Sequence, residues 1–519
     1  MIDTIAGQEK PAQLRRVPDN TPVIIGVGQV SERVGEVGYL ESSHMDLAGA
    51  ALAAALADAR AAHPLAPALD TIAAIRQFEI SGTRYGAPFG YSDNPPRSIA
   101  KRVGANPARA ILEIVGGQGP QRLVGELASE IAMGQSKLAA IVGSEAISTL
   151  RDLVGRGDSR DWSESVDGEI EDRGYGHDGF YDLTALRHGV GAPIAGYALA
   201  ENARRERLGL SLVNYRLAIG QLFAPFTRVA AANPHSAAPV ERSPSELATL
   251  TDRNRLVAEP YGRLVVSRDQ VNQGAAIVIA SAGEARRLGV PEDRWVHIHA
   301  IADCAEPSLI TRGNLERSSA ATSAISAALD LARTNWAALD HIDLYSCFAI
   351  PVFNVLDAFG LDPADPRGFT LTGGLPFFGG AGNNYAAHAI AEAVGRCRAA
   401  PGSRAFVGVN GGIMSKYAAA VYSTDPADWS ESRWRKLGNL PAQYGYANEF
   451  TGEAVIDSFT IQPGKGGETG TIVARSGHVR ICANTTNPAA LAGLRNQRGQ
   501  GRKVRVEYAG EGVNQFWLV

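Results

Sequence analysis

Short apolar runs alternate along this chain with longer Ala-rich segments whose apolar positions recur every three or four residues. Pro22-Val23-Ile24-Ile25-Gly26-Val27-Gly28 reads as a buried strand and Asp46–Ala59 as a helix. Ala68-Leu69-Asp70 then precedes a second apolar strand. The same order returns later: a strand at Val296–Ala300, a helix at Ser318–Arg333, and Ala338-Leu339-Asp340 before another strand. The next block repeats too. Ile111–Val115 leads through Gly116-Gly117-Gln118-Gly119 to a helix at Pro120–Met133 and a strand at Leu138–Val142. Its counterpart runs from Thr370–Thr372 through Gly373-Gly374 to a helix at Ala386–Arg398 and a strand at Ala405–Val409, ending Asn410-Gly411-Gly412. Both sets of marks are separated by nearly the same interval, which argues for a duplicated α/β unit. Apolar strands between such helices predict largely parallel sheets covered on both faces.

The pattern divides the chain into a first half at 20–150 with 260–290, an inserted loop or lid region at 151–259, and a second half at 291–423. A linker at 424–451 and a β module at 452–519 follow. The inserted region opens with a charge- and Gly-rich stretch, Arg151–Phe180, in which His177-Asp178 reads as a solvated loop pair, with entry into a closed site as the alternative. Its helical run Asn202-Ala203-Arg204-Arg205-Glu206-Arg207 reads as a solvated basic face, with contact to ligand phosphates as the alternative. Two Trp and two Pro mark the linker. Strands at Ala454–Gln462, Gly470–Arg475, His478–Ala483 and Lys503–Tyr508, with a helix at Pro488–Leu494, predict a small OB-like barrel. Such barrels often bind oligonucleotides, but this one lacks an aromatic stacking series and a basic groove, so packing is its expected role.

Length and composition narrow the function. At 519 residues the chain exceeds one hydrophobic core. A net charge of −4 leaves no global attraction for nucleic acid or an anionic membrane. Cys304, Cys347, Cys397 and Cys482 form no CxxC pair, so neither structural zinc nor a disulfide framework is expected. Met1–Thr21 lacks a signal-peptide apolar run and no segment is long enough to span a bilayer, which suggests a cytoplasmic chain.

Four motifs carry a family resemblance. Val271-Asn272-Gln273-Gly274-Ala275-Ala276-Ile277-Val278 resembles the run that closes the first half of thiolases. Asp343-Leu344-Tyr345-Ser346-Cys347-Phe348 resembles their strand-end Asn-Glu or His-Asp motif. Gly373-Gly374-Leu375-Pro376 through Gly379-Gly380-Ala381-Gly382-Asn383-Asn384-Tyr385 sits where thiolases place a Gly-His-Pro loop, and Asn410-Gly411-Gly412 where they place an acid/base Cys-x-Gly. In this order on a duplicated chain, they resemble thiolase-like proteins of type 1, relatives of the sterol-carrier-type thiolases named as acetyl-CoA acetyltransferases. The resemblance implies a duplicated thiolase fold plus the extra barrel, a coenzyme A thioester as substrate or ligand with no permanent cofactor or metal, and the option of a homodimer.

The chemistry of a thiolase is missing from these positions. The resemblance puts the nucleophile at Gly116, which cannot form an acyl-enzyme. The loop His falls at Gly380, the strand-end pair at Tyr345 and Ser346, and the acid/base Cys near Asn410. Candidate catalytic groups are therefore Tyr345, Asn410, His388 and Cys347. Cys347 also suits plain packing, and His388 a structural place in its helix. Candidate substrate-binding groups are Gly116, Gly117, Asn383, Asn384, Tyr385 and Ser346, with Asn383, Asn384 and Asn410 as oxyanion donors or as conformational residues. Two functions follow: acyl transfer or C–C cleavage of a β-keto or β-hydroxyacyl compound without a covalent intermediate, or non-catalytic acyl-CoA or lipid binding.

Overall fold

The computed structural model describes residues 17–82, 86–180, 182–496 and 499–519; the N-terminal stretch up to Arg16 lies outside them. The first half orders its strands Pro22–Ser31, Asn272–Ser281, Leu138–Ala146, Thr71–Ala74 and Arg109–Leu112. The second half orders them Val296–Ala305, Lys416–Ser423, Arg404–Gly411 and His341–Leu344. In both, the first strand neighbours the last, then the last but one, then the second. The repeat in the sequence is thus a repeat in topology. The halves meet where their first strands pair antiparallel, Val23 opposite His297 and Ile24 opposite Val296.

The expectation of largely parallel sheets needs correction. Lys416–Ser423 runs antiparallel to Arg404–Gly411 because the four residues between them close a hairpin, too short for a parallel crossover. Asn272–Ser281 is antiparallel to both neighbours. Parallel pairing holds Thr71–Ala74 to its neighbours and His341–Leu344 to Arg404–Gly411.

Helices flank and separate the sheets. His44–Asp58 starts at a reciprocal cap, Ser43 Oγ accepting from the Asp46 N–H at 3.2 Å and Asp46 from the Ser43 N–H at 3.2 Å. Its small residues allow close approach: a methyl group on Gly28 would lie 2.2 Å from the Ala51 carbonyl. Ser319–Leu331 covers the second half in the same way, capped by Ser318. Between the sheets, Gly119–Ala132 and Tyr385–Ala399 pack on each other and on strands of both halves, giving an αβαβα stack.

The basic run is not solvated. Arg204, Arg205 and Glu206 are buried, and Arg204 pairs with Asp357 at 2.8 Å while Arg207 pairs with Glu316 at 2.7 Å. The carboxylates come from distant parts of the chain, and the run is sandwiched between the second half and the tail, where Arg205 lies over the Phe459 ring. Within the stretch read as a linker, Trp434–Asn439 forms a strand beside Val296–Ala305, and Trp429 Nε1 donates to the Ile298 carbonyl at 3.0 Å.

The tail is a closed barrel. Strands Val479–Thr485, Gly467–Ser476, Gly452–Gly464, Lys503–Tyr508 and Asn514–Leu518 pair in that order, and the Asn484–Gln515 pairing closes the ring. It has its own core around Ile456, Phe459, Ile472 and Phe516. It is also tied to the body: Ser458 Oγ donates to the Leu199 carbonyl at 2.5 Å, and the Asn514 N–H to His188 Nε2 at 2.8 Å. Arg480, buried, donates to the carbonyls of Ile310 and Gly313.

Candidate functional site

Strand ends and Gly-rich loops of both halves converge on a cavity of about 950 Å³. From the first half come Val115, Gly116 and Gly117, at the turn into the helix Gly119–Ala132. The second half adds Tyr345, Cys347 and Phe348 at the end of His341–Leu344, and Asn410–Gly412 at the end of Arg404–Gly411. Ends of parallel strands open onto such crevices because the helices that follow diverge there. The Pro193–Arg207 helix contributes one wall with Pro193, Ile194 and Tyr197, and its far side rests on the barrel. The lining is mainly apolar and glycine. His177 and Asp269 are its ionisable exceptions besides the tyrosines and Cys347.

Of the sequence candidates, Gly116, Gly117, Tyr345, Cys347, Asn383 and Asn410 line this cavity together. His177 stays exposed in its loop, as the sequence led one to expect, and lines the cavity as well, its Nε2 lying 2.8 Å from the Ser81 carbonyl. Asp178 is not among the lining residues.

Four candidates lie elsewhere. His388 is fully buried in the helix between the sheets, its Nδ1 on Gln29 Oε1 at 2.7 Å. Burial, with a contribution from His235, pushes its pKa down to about 3. Asn384 donates to the Gly143 carbonyl at 2.6 Å, and the Tyr385 hydroxyl sits 2.5 Å from Thr372 Oγ1. Ser346 is buried below Gly374. All four face the packed interior because the loop turns into the helix Tyr385–Ala399 at Asn384 and because successive residues after a strand point to opposite sides. None of the four is a cavity residue.

The polar groups at the cavity floor are largely committed to one another. Asn383 accepts the Gly116 N–H at 2.9 Å and donates to the Arg76 carbonyl at 2.7 Å, so it shapes the loop and is not an idle oxyanion donor. Asn410 Nδ2 donates to the Tyr197 hydroxyl at 2.6 Å, which donates to the Gly412 carbonyl at 2.6 Å. The Cys347 thiol is pushed up to about 12 by burial, against the lowering effect of Tyr197 and Asn410 beside it. It is a neutral thiol at physiological pH, the opposite of an activated nucleophile. Tyr345 is held well above the ordinary tyrosine value, by burial first and Cys347 second. Its hydroxyl makes no hydrogen bond among the described residues.

The fold matches the crystal structure of a monomeric SCP2-thiolase like protein type 1 from Mycobacterium smegmatis with a TM-score of 0.82 and 40% identity, over 97% of this chain and 100% of that one. The chain belongs to the type 1 SCP2-thiolase-like family. Its alignment includes the barrel, so the tail is part of the family plan. More distant matches share the fold only: an Ltp2-ChsH2(DUF35) aldolase at 16% identity and TM-score 0.56, over 78% of this chain and 98% of that one, and the dimeric peroxisomal thiolase of Saccharomyces cerevisiae at 14% and 0.56 over the same shares. No family model and no curated protein matches the chain.

Sequence reasoning missed one residue that lines this site and one that stands directly behind its wall. Tyr197 sits in a helix whose pattern gives no hint that its first turn reaches the cavity. Gln118 was visible only as a polar residue between glycines, although its carboxamide lies directly against Gly116 and Gly411.

Proposed function

We propose that this protein binds an acyl thioester or related lipid in the cavity without forming an acyl-enzyme. The observation that carries this reading is the floor itself. Glycine stands at the nucleophile position, and the cavity's thiol, Cys347, is buried and neutral. The lining of Phe78, Val115, Phe180, Leu186, Ile194 and Phe348 suits an acyl chain. Arg268, exposed beside Ser267, has no ion pair among the described residues; partial desolvation, Arg263 and Arg242 push its pKa down, while the neighbouring Asp269 pulls it up. Arg268 stands between the lining residues Ser267 and Asp269, and a guanidinium at that mouth would suit a phosphate of coenzyme A.

A test is calorimetric titration with acyl-CoA esters of increasing chain length. Affinity should rise about fourfold per added methylene until the cavity is full. No saturable binding by any of them would refute the reading.

A second reading rests on the unpaired Tyr345 hydroxyl. A proton donor there could serve C–C cleavage of a β-keto or β-hydroxyacyl compound by protonating an enolate. The oligomeric state proposed is a monomer. The edge strand Arg109–Leu112 is covered at Ile111 and Leu112 by Glu171–Asp172, which leaves only two residues of ladder for a second copy.

A further inference from the structure

The position opposite the missing nucleophile is filled. A methyl group on Gly116 would lie 2.2 Å from Gln118 Oε1, and one on Gly411 would lie 1.8 Å from the same atom. Gln118 is 3% exposed. Its Oε1 accepts no conventional hydrogen bond and is wedged between two glycine α-carbons, where weak Cα–H donation is the available contact. This arrangement fixes the carboxamide between the two glycines. Gln118 itself stands directly behind the cavity wall: its Nε2 has no hydrogen-bond partner among the described residues, and Gly116, Gly117 and Gly411 around it line the cavity. Asn383, the donor otherwise expected there, is fully occupied.

We propose that Gln118 is the residue that recognises the carbonyl end of the ligand, Nε2 donating to a thioester or ketone oxygen, and that Gly116 and Gly411 are small in order to seat its carboxamide. This deepens the binding reading above and rests on it. It assigns the ligand class: neutral acyl groups that present a carbonyl at the cavity floor, in preference to isosteres that lack one.

The experiment compares an acyl-CoA thioester with the matching S-alkyl-CoA thioether, which keeps the chain and the nucleotide but has no carbonyl. Titrations use the full chain, its Gln118→Leu variant and its Gly411→Ala variant. A single neutral hydrogen bond predicts that the parent favours the thioester by about 3- to 10-fold. Gln118→Leu should erase that preference while binding the thioether as well as the parent does. Gly411 has no positive φ, and the first atoms its new methyl would meet belong to the end of the Gln118 side chain, so Gly411→Ala should displace the carboxamide and give the same loss without unfolding. Thermal melting checks both variants. Should Gln118→Leu fail to fold, the Gly411→Ala result decides. Equal binding of both ligands by the parent, or a preference that survives in a folded variant, overturns the role of Gln118 and leaves the cavity reading intact. Failure of the parent to bind either ligand overturns the cavity reading itself.

Discussion

His388→Gln separates a structural histidine from a catalytic one. The imidazole is fully buried and its pKa sits near 3, against an ordinary value of 6.5. The sign follows from which state takes up the proton. Below pH 6.5 the unfolded chain protonates this histidine while the folded chain does not, so its contribution to stability falls as pH falls and stops changing only below about 3. Each pH unit costs about 1.4 kcal/mol, so moving from pH 6.5 to 5.0 removes about 2 kcal/mol from the parent through this one group. Glutamine has no proton to take up. At pH 7.5 the variant should be less stable by about 1–3 kcal/mol, because the bond to Gln29 is lost or distorted. At pH 5.0 that gap should shrink by about 2 kcal/mol. Denaturant unfolding of both proteins at the two pH values measures it. Ligand binding should be unchanged, since His388 does not line the cavity. A gap that is the same at both pH values would mean that His388 protonates freely in the folded protein, and the structural reading would fail.

Further expectations concern the fold and the floor of the cavity. Arg480→Ala should destabilise the whole chain by about 3 kcal/mol and lower its melting temperature in a single transition, because several carbonyls lose a buried donor; a separate early melt of the barrel would contradict its role as a brace. Light scattering should give a mass near the chain's 54.7 kDa, and twice that value would contradict the covered edge strand. Tyr345→Phe should fold normally and keep acyl-chain binding within about threefold; a parent turnover that this variant abolished would favour cleavage chemistry over simple binding.

The large features were legible in the sequence because they repeat or alternate. Ala-Leu-Asp before each second strand marks the duplication, and the period-two pattern after Gly452 marks the barrel. The last barrel strand, Asn514–Leu518, escaped notice because its inward set is only Asn514 and Phe516. The antiparallel returns were hidden because a fully buried strand reads the same in either direction. The arginine run was misread for a different reason: Asp357 and Glu316, which neutralise it, lie more than a hundred residues away in the chain. At the site, Gly116, Tyr345 and Asn410 were found from the motif order. Asn384, Tyr385 and His388 belong to the same motifs but lie in or at the start of a helix that turns into the packed interior, and no local pattern shows which way such a helix faces. Gln118 matters only through its contact with Gly411, which is far off in sequence.

The central claim is that ligand is held here without a covalent bond to the protein. Intact-mass spectrometry of the full chain after prolonged incubation with a saturating acyl-CoA tests it most directly. The denatured protein should keep its unmodified mass, while the same sample under native conditions carries the ligand. A gain of one acyl group in the denatured protein, mapped to Cys347 or any other cavity residue, would contradict it.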